Sequence, residues 1–331
     1  MRIALDAMGG DNAPVETVRG GVEAAEKLGF EIFLVGEKYS LERELDKYKP
    51  FPGSVRIVQA TEKIGMDEPA ASSVRKKKDS SINVCVNLVK EKKVDAIVTA
   101  GNTGAAVCAA TLRLRTLEGI ERPGISIVIP TLTGVSFLID VGANIAPKPE
   151  HLLHYAIMGD VYMRYVLNKK EVKIGLLNVG EEEIKGTALI KESHRLLDSS
   201  YLNFIGNIEG RDIFTGKCDV IVCDGFSGNI ILKVSESIAD TLGTLFKREI
   251  NKGLLTKVGG FLSMTALHNL KKKIDYTEIG GAPLLGIDGV CIICHGRSTA
   301  KAIRNAIGVA GEFSAHQVNK HITNQLKNLV S

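Results

Sequence analysis

The sequence predicts an α/β protein with a mostly parallel sheet and helices on both of its faces. β-Branched runs and helical patterns alternate from one end to the other, the signature of such sheets. Five of the runs pass into a helix through a short glycine-bearing joint, after Ala7, Ala100, Asn178, Asp224 and Cys294. One joint occurs twice. Asp95 to Gly104 matches Asp219 to Gly228 in register, 124 residues on, with aspartate on aspartate, both glycines coinciding and Thr103 opposite Ser227. Such a joint aims backbone N–H groups and the positive end of a helix at one point, which suits an anion. Two copies suggest a site that handles phosphate.

Taken in order, Ile3 to Ala7 reads as a strand and Val15 to Leu28 as a helix, with Asp11 or Asn12 as its cap and Pro14 at its start. Ile32 to Gly36 and Val55 to Val58 are the next strands. The basic run Arg75-Lys76-Lys77-Lys78 precedes a helix from Ser81 to Lys92, which leads into the first copy of the joint. Ser126 to Pro130 and Val135 to Asp140 read as neighbouring strands meeting through Leu132-Thr133-Gly134. Pro147 and Pro149 break the chain before a helix from Glu150 to Leu167. Lys173 to Asn178 is a strand that turns at Val179-Gly180 into a helix opening on Glu181-Glu182-Glu183. Three acids there complement the helix dipole, whereas Lys185 has no dipole reason to be present. A helical pattern fills Ile230 to Ile250 and resumes after Gly253 through Lys273, and the last joint follows the strand Val290 to Cys294. If all five joints share one edge of the sheet, that edge is where ligands of open α/β sheets bind.

With 331 residues, 44% apolar and 24% charged, the chain can bury a full core as a folded globular protein. We read it as one unit over residues 1–331. A net charge of +4 with 5% aromatics and no Trp does not suit nucleic acid, but it is compatible with an acidic partner or an anionic surface. Met1 to Asp6 is already strand-like, and no apolar run reaches the roughly 20 residues of a membrane span, so a cytoplasmic location is expected. The six cysteines sit mostly in apolar runs. Cys291 and Cys294 fall on opposite faces of a strand, which argues against a metal or redox pair. No G-x-G-x-x-G follows a strand with an acid about 20 residues on, which argues against a dinucleotide-dependent dehydrogenase.

Over nearly its whole length the chain resembles the bacterial phosphate acyltransferases (PlsX type). The likeness is carried by Leu5 to Asp11, Ala100 to Gly104, Asp140 to Asn144, Asn178 to Gly186, Asn207 to Gly210, Asp224 to Asn229, Pro283 to Gly286 and His295-Gly296. Thr99 stands where a serine is usual, and Gly281-Ala282 also departs from the family pattern. The resemblance implies a three-layer α/β/α sandwich like that of isocitrate and isopropylmalate dehydrogenases. It also implies a homodimer and a place at the start of phospholipid synthesis. The reaction it implies is attack of inorganic phosphate on the thioester of an acylated acyl carrier protein, giving acyl-phosphate for a membrane glycerol-3-phosphate acyltransferase. Two rival readings are a phosphotransacetylase acting on acyl-coenzyme A and a non-catalytic, acyl-phosphate-binding membrane regulator.

That reaction needs no dedicated nucleophilic residue, because phosphate is itself the nucleophile and a thioester is activated; no cofactor and no metal ligand are assigned. Positioning and electrostatics remain. Lys185, Asn229 and His295 are the catalytic candidates, each with a plainer reading: an exposed helix lysine, a helix cap, a strand-end histidine. Gly9, Gly10, Asn102, Thr103, Gly104, Asn144, Gly225, Ser227 and Gly228 are candidates to hold phosphate or thioester, with Asn102, Thr103 and Ser227 equally readable as caps. Asp6, Asp11 and Asp224 would repel phosphate and are expected to support the loops. His151, His154, His194, His268 and His316 lie in helical patterns and read as surface or packing residues.

Residues 247–273 read as a protruding amphipathic helical segment that touches a membrane. Leu254, Leu255, Val258, Phe261, Leu262, Leu267 and Leu270 recur at helix-like intervals, and seven cations against Glu249 alone rim the stretch. An apolar centre and a basic rim suit an anionic membrane surface without spanning it. The plainer reading is an amphipathic helix buried on the core or in an interface.

Overall fold

The computed structural model describes residues 1–266 and 280–330. The first half runs β1 (Arg2–Asp6), α1 (Val15–Leu28), β2 (Glu31–Gly36), α2 (Lys38–Leu45), β3 (Val55–Gln59), α3 (Ala70–Lys76), α4 (Ser81–Lys90), β4 (Ala96–Thr99) and α5 (Thr103–Leu114). A hairpin follows, β5 (Gly124–Thr131) and β6 (Gly134–Ile139), then α6 (Pro149–Tyr165), β7 (Ile174–Leu177), α7 (Ala188–Asp198), β8 (Phe204–Ile208) and β9 (Val220–Val222). The chain continues with α8 (Gly225–Ile250), α9 (Leu254–Leu262), β10 (Ala282–Leu285), β11 (Cys291–Ile293), α10 (Ala300–Ala315) and α11 (Val318–Val330).

The described strands form one mixed sheet in the order β3-β2-β1-β4-β11-β10-β5-β6-β9-β7-β8. Strand side chains alternate between its faces. Ile3 and Leu5 join a core under α1, α2, α6, α7, α10 and α11, while Ala4 joins a second core under α3, α4, α5 and the root of α8. Cys294 lies in the first core and Cys291 in the second, as their spacing predicts. The result is a three-layer α/β/α arrangement.

Strand direction decides where the joints fall. β3, β2, β1, β4 and β11 are mutually parallel, and so are β6, β9, β7 and β8. Between the two sets β11/β10, β10/β5 and β5/β6 are antiparallel, so the sets run in opposite directions. The joints after β1, β4 and β11 therefore open on one edge of the sheet, and those after β7 and β9 on the other. The expectation that all five line one edge is wrong. Counting outward from the central β10/β5 pair, β4 and β9 hold the same rank. The repeat in sequence is thus a repeat in topology.

Four local readings also change. Glu181 to Gly186 is a loop, and the helix begins only at Ala188, capped by Thr187. Neither Asp11 nor Asn12 caps α1 with its side chain; Pro14 is the capping residue, without a side-chain hydrogen bond. α4 stops at Lys90 rather than Lys92. Strands β8 and β10, short and glycine- or proline-bearing, do not announce themselves in the sequence.

α8 leaves the body of the molecule. Ile231 and Leu232 still touch the second core, but residues 237–249 are all exposed. α9 folds back beside it, with Gly260 packed so closely on the Ile250 side chain that a methyl there would lie 2.7 Å away. Leu254, Leu255, Val258, Phe261 and Leu262 are 54–88% exposed. The rest of the stripe, Leu267, Leu270 and Lys271 to Lys273, lies outside the described residues, as does His268.

Candidate functional site

On the first edge three glycine loops lock together. A methyl on Gly9 would stand 2.6 Å from Asp6 Oδ2 and 2.7 Å from the Gly101 nitrogen, and Gly10 takes a φ of 99° that favours glycine. The Asp11 N–H donates to the Gly296 carbonyl at 2.8 Å, which ties the β1 loop to the β11 loop. Asn102 caps α5, its Oδ1 accepting the Ala105 N–H at 3.0 Å. Its amide nitrogen donates to the carbonyls of Gly65, Met66 and Glu68 at 3.1–3.2 Å. Asn102 is therefore both cap and clamp. Thr103 and Gly104 supply the first two backbone donors of α5, the ones a helix start leaves to a ligand. His295 Nδ1 accepts the Arg297 N–H at 3.1 Å, so the neutral ring carries its proton on Nε2.

Under these loops lies Asp6. It is buried, and its Oδ2 accepts the Thr99 hydroxyl at 2.8 Å, while Thr99 Oγ1 accepts the Gly101 N–H at 3.0 Å. Its Oδ1 has no partner among the described residues, and Asp6 lines a cavity of about 10 Å³ with Gly9, Ser81, Thr99, Gly101 and Asn102. That is room for a single water. Burial pushes the Asp6 carboxyl up, against the pull of the Thr99 hydroxyl.

On the opposite edge the loop after β6 closes on the start of α8. Asp140 is fully buried and accepts four backbone N–H groups, from Ile125, Gly142 and Ala143 on Oδ1 and from Asn144 on Oδ2, at 2.7–3.1 Å. Asn144 spends its amide nitrogen on the Pro123 carbonyl (2.6 Å) and the Tyr155 hydroxyl (2.7 Å). Its own carbonyl accepts the Gly225 N–H at 2.8 Å. Asp224 caps α8 and also accepts the Ser227 hydroxyl at 2.8 Å. A methyl on Gly225 would stand 2.6 Å from the Asn144 oxygen, and one on Gly228 would overlap the Asp140 carbonyl. Asn229 is exposed, above Gly142.

The Lys185 loop is next to this joint, after β7. Lys185 is half-exposed, with Nζ 2.8 Å from Glu182 Oε2, and that carboxylate raises its pKa, so it stays charged at neutral pH. Asn178 donates to the carbonyls of Gly180 and Lys185 and draws the loop closed. The structure thus brings Lys185, Asn144, Asp224, Gly225, Ser227, Gly228 and Asn229 to one edge. It brings Asp6, Gly9, Gly10, Asp11, Asn102, Thr103, Gly104 and His295 to the other. Among the described residues no group of three His, Cys, Asp or Glu side chains is placed to hold a metal ion.

The profile of a family described as "Fatty acid synthesis protein" matches residues 1–321. Over 327 residues the chain is 50% identical to a phosphate acyltransferase of Geotalea daltonii, covering 99% of this chain and 94% of that protein. Over 331 residues it is 49% identical to a phosphate acyltransferase of Dictyoglomus turgidum, covering 99% and 98%. The chain belongs to the phosphate acyltransferase family. Its activity is that of an acyltransferase. Among solved structures it is similar to a phosphotransacetylase from Streptococcus pyogenes, with a TM-score of 0.62, 17% identity, and 97% and 94% of the two chains covered. It is also similar to a 4-hydroxythreonine-4-phosphate dehydrogenase from Klebsiella pneumoniae, with a TM-score of 0.54, 15% identity, and 95% and 98% covered. At such identities these two speak for the fold alone.

Several residues that hold the site together are not among the site candidates the sequence offers. Asp140 is one, although an acid before Gly-Ala-Asn at a strand end is the composition of a loop folded around a carboxylate. Asn178 and Asn207 fall within segments that carry the family likeness, but the sequence gives no sign of the loop carbonyls they bind. His151 and His194 are buried, and each has a specific partner, Glu121 at 3.0 Å and Asn207 at 3.1 Å.

Proposed function

We propose that the chain transfers the acyl group of an acylated acyl carrier protein to inorganic phosphate. A phosphate oxygen attacks the thioester carbonyl, the carbon–sulfur bond breaks, and the carrier thiol leaves as acyl-phosphate forms. Lys185 neutralises phosphate charge, and Asn229 donates to it or to the oxyanion. The α5 start, with Thr103 and Gly104, and the Gly9-Gly10 loop offer backbone donors, while His295 Nε2–H is suited to the oxyanion or the departing thiolate. The observation that carries this reading is the glycine-bearing start of α8 closed against the loop after β6, with the Lys185 loop beside it, in a chain half identical to phosphate acyltransferases.

The two sets of candidates open on opposite edges of the sheet, so one chain does not gather them at one point. A homodimer resolves this if the Lys185 edge of one copy meets the His295 edge of the other. α8 supplies a surface for such pairing. Phe226, Ile230, Val234, Ile238, Leu242 and Phe246 recur at four-residue spacing and are 45–61% exposed in the single chain. The acidic carrier would dock on exposed basic residues such as Arg75, Lys76 and Lys78, an association that weakens as salt rises. The exposed apolar face of α9 would rest on an anionic membrane and hand acyl-phosphate to a membrane glycerol-3-phosphate acyltransferase. No described helix is long and apolar enough to cross that membrane.

The test is acyl-phosphate formation from acyl carrier protein and acyl-coenzyme A substrates, with Lys185→Ala beside the wild type and the mass in solution measured in parallel. A charge-assisted contact contributes about 1.5–3 kcal/mol, so the phosphate KM or turnover should suffer roughly tenfold to 150-fold. Wild-type phosphate kinetics in the variant, or full activity in a monomer, would overturn the reading. Preference for the coenzyme A thioester would favour a phosphotransacetylase, and binding without turnover a regulator.

A further inference from the structure

Resting on the role of Lys185 given above, we infer that Asn207 and Asn178 are positioning residues that hold the Lys185 loop for phosphate, with His194 fixing the orientation of Asn207. The loop has no helix to stiffen it, so its shape must come from elsewhere. Two amide side chains supply it, each from the end of a different strand. Asn178, after β7, donates to the carbonyls of Gly180 (3.1 Å) and Lys185 (3.2 Å) and so pinches the two ends of the loop together. Gly186, at a φ of 94°, leaves no space for a side chain because the Asn178 amide fills it. Asn207, on β8, donates to the Glu182 carbonyl in the middle of the loop at 3.3 Å. Glu182 in turn holds Lys185 twice, by its carbonyl to the Lys185 N–H (3.1 Å) and by its carboxylate to Nζ.

The orientation of Asn207 is decided by logic as well as distance. The Glu182 carbonyl can only accept, so the Asn207 nitrogen must face it, and Oδ1 must face the other way. There it meets His194 Nδ1 at 3.1 Å, which must then carry the proton. His194 is buried on α7, its ring set edge-on against Phe204 at 5.0 Å, and cannot readily turn away. A rigid helix thus fixes an amide, the amide fixes a carbonyl, and the carbonyl belongs to the residue that holds the lysine.

A double-mutant cycle separates positioning from mere stability. Asn207→Ala removes the hook without adding charge, and should raise the phosphate KM roughly threefold to tenfold while the KM for the acylated carrier changes little; leaving the buried His194 Nδ1–H without its acceptor lowers stability in both backgrounds alike. In a Lys185→Ala background the same substitution should have no further effect on phosphate, because there is no lysine left to place. Asn178→Ala, put through the same cycle, covers the case in which the first variant folds poorly. Equal factors in both backgrounds would overturn the inference. If Lys185→Ala itself leaves the phosphate KM unchanged, the lysine's role falls and the positioning with it, a result readily told from the first.

Discussion

In the first copy of the repeated joint, Asn102 caps α5 and spends its amide nitrogen on the Gly65 to Glu68 loop; in the second, Asp224 caps α8 and closes on its own Ser227. The two share register, rank in the sheet and glycine positions, yet their surroundings differ. The first is clasped by side chains, and the N–H groups of Thr103 and Gly104 head its helix. In the second the Asn144 carbonyl takes the Gly225 N–H, and the Asp224 carboxylate takes both the N–H and the hydroxyl of Ser227. One sequence device has become an open helix start on one edge and a closed structural joint on the other. The helices diverge too. α5 ends after 12 residues against the core, whereas α8 runs 26 residues and leaves it.

The largest test of this contrast uses the matched glycines. Gly104→Ala places a methyl 3.0 Å from the Ala70 side chain, where a small shift suffices, and should cost under about 1 kcal/mol. Gly228→Ala drives a methyl into the Asp140 carbonyl and toward the Cys223 sulfur, and should cost about 3 kcal/mol or more. Urea unfolding of both variants measures the difference. Equal costs would mean the two joints are packed alike.

The fold is largely legible in the sequence because each strand-to-helix joint is local, and a local pattern reports on its own element. What is not legible depends on partners distant in sequence. Glu181 to Lys185 has the composition of a helix start, but Asn178 and Asn207 hold it as a loop. β10 is four residues containing Pro283, and it becomes a strand only because β11 and β5 flank it. The division of the site between two edges does have a signal. Strands joined by the short turn Leu132-Thr133-Gly134 must be antiparallel, so every strand parallel to β6 points away from every strand parallel to β5. Which strands join which set is again a matter of distant pairing. Roles such as those of Asn144 and Asn102 are hidden for another reason, since the same amide can face a ligand or a carbonyl.

A smaller effect separates the two buried carboxylates. Asp140 accepts four N–H groups, and replacing it with Asn turns an N–H₂ toward at least one of them, at a cost of about 1–3 kcal/mol. Asp6→Asn keeps an acceptor for Thr99 and sets its N–H₂ where Oδ1 has no partner among the described residues, so it should change stability by under about 1 kcal/mol. The sign with pH follows from the raised Asp6 pKa. Folding favours the neutral acid; that contribution is present below the unfolded pKa and is lost as pH rises through the folded one. An asparagine mimics the neutral acid at every pH, so Asp6→Asn should gain on the wild type from acid to neutral solution. Thermal melts across that range report it, and a growing deficit toward neutral pH would show that the charged form is the one the fold needs.

The smallest effect on stability, and the one that tests what the extended helix is for, is expected in α9. Leu254, Phe261 and Leu262 are 71–83% exposed and make no part of either core. Replacing all three with glutamate removes little burial, so the melting temperature of the chain should barely move. Against an anionic bilayer the same change matters greatly. It exchanges three apolar contacts for three charges of the membrane's own sign, on a segment whose neighbours Lys247, Arg248, Lys252 and Lys257 are attracted to it at about 1 kcal/mol each. Flotation with vesicles containing anionic lipid should therefore show wild type bound and variant free, with turnover in solution equal for both. A variant that melts early or changes mass in solution would place these residues in an interface between protein surfaces, and α9 would then extend the apolar stripe of α8 instead of ending it at a membrane.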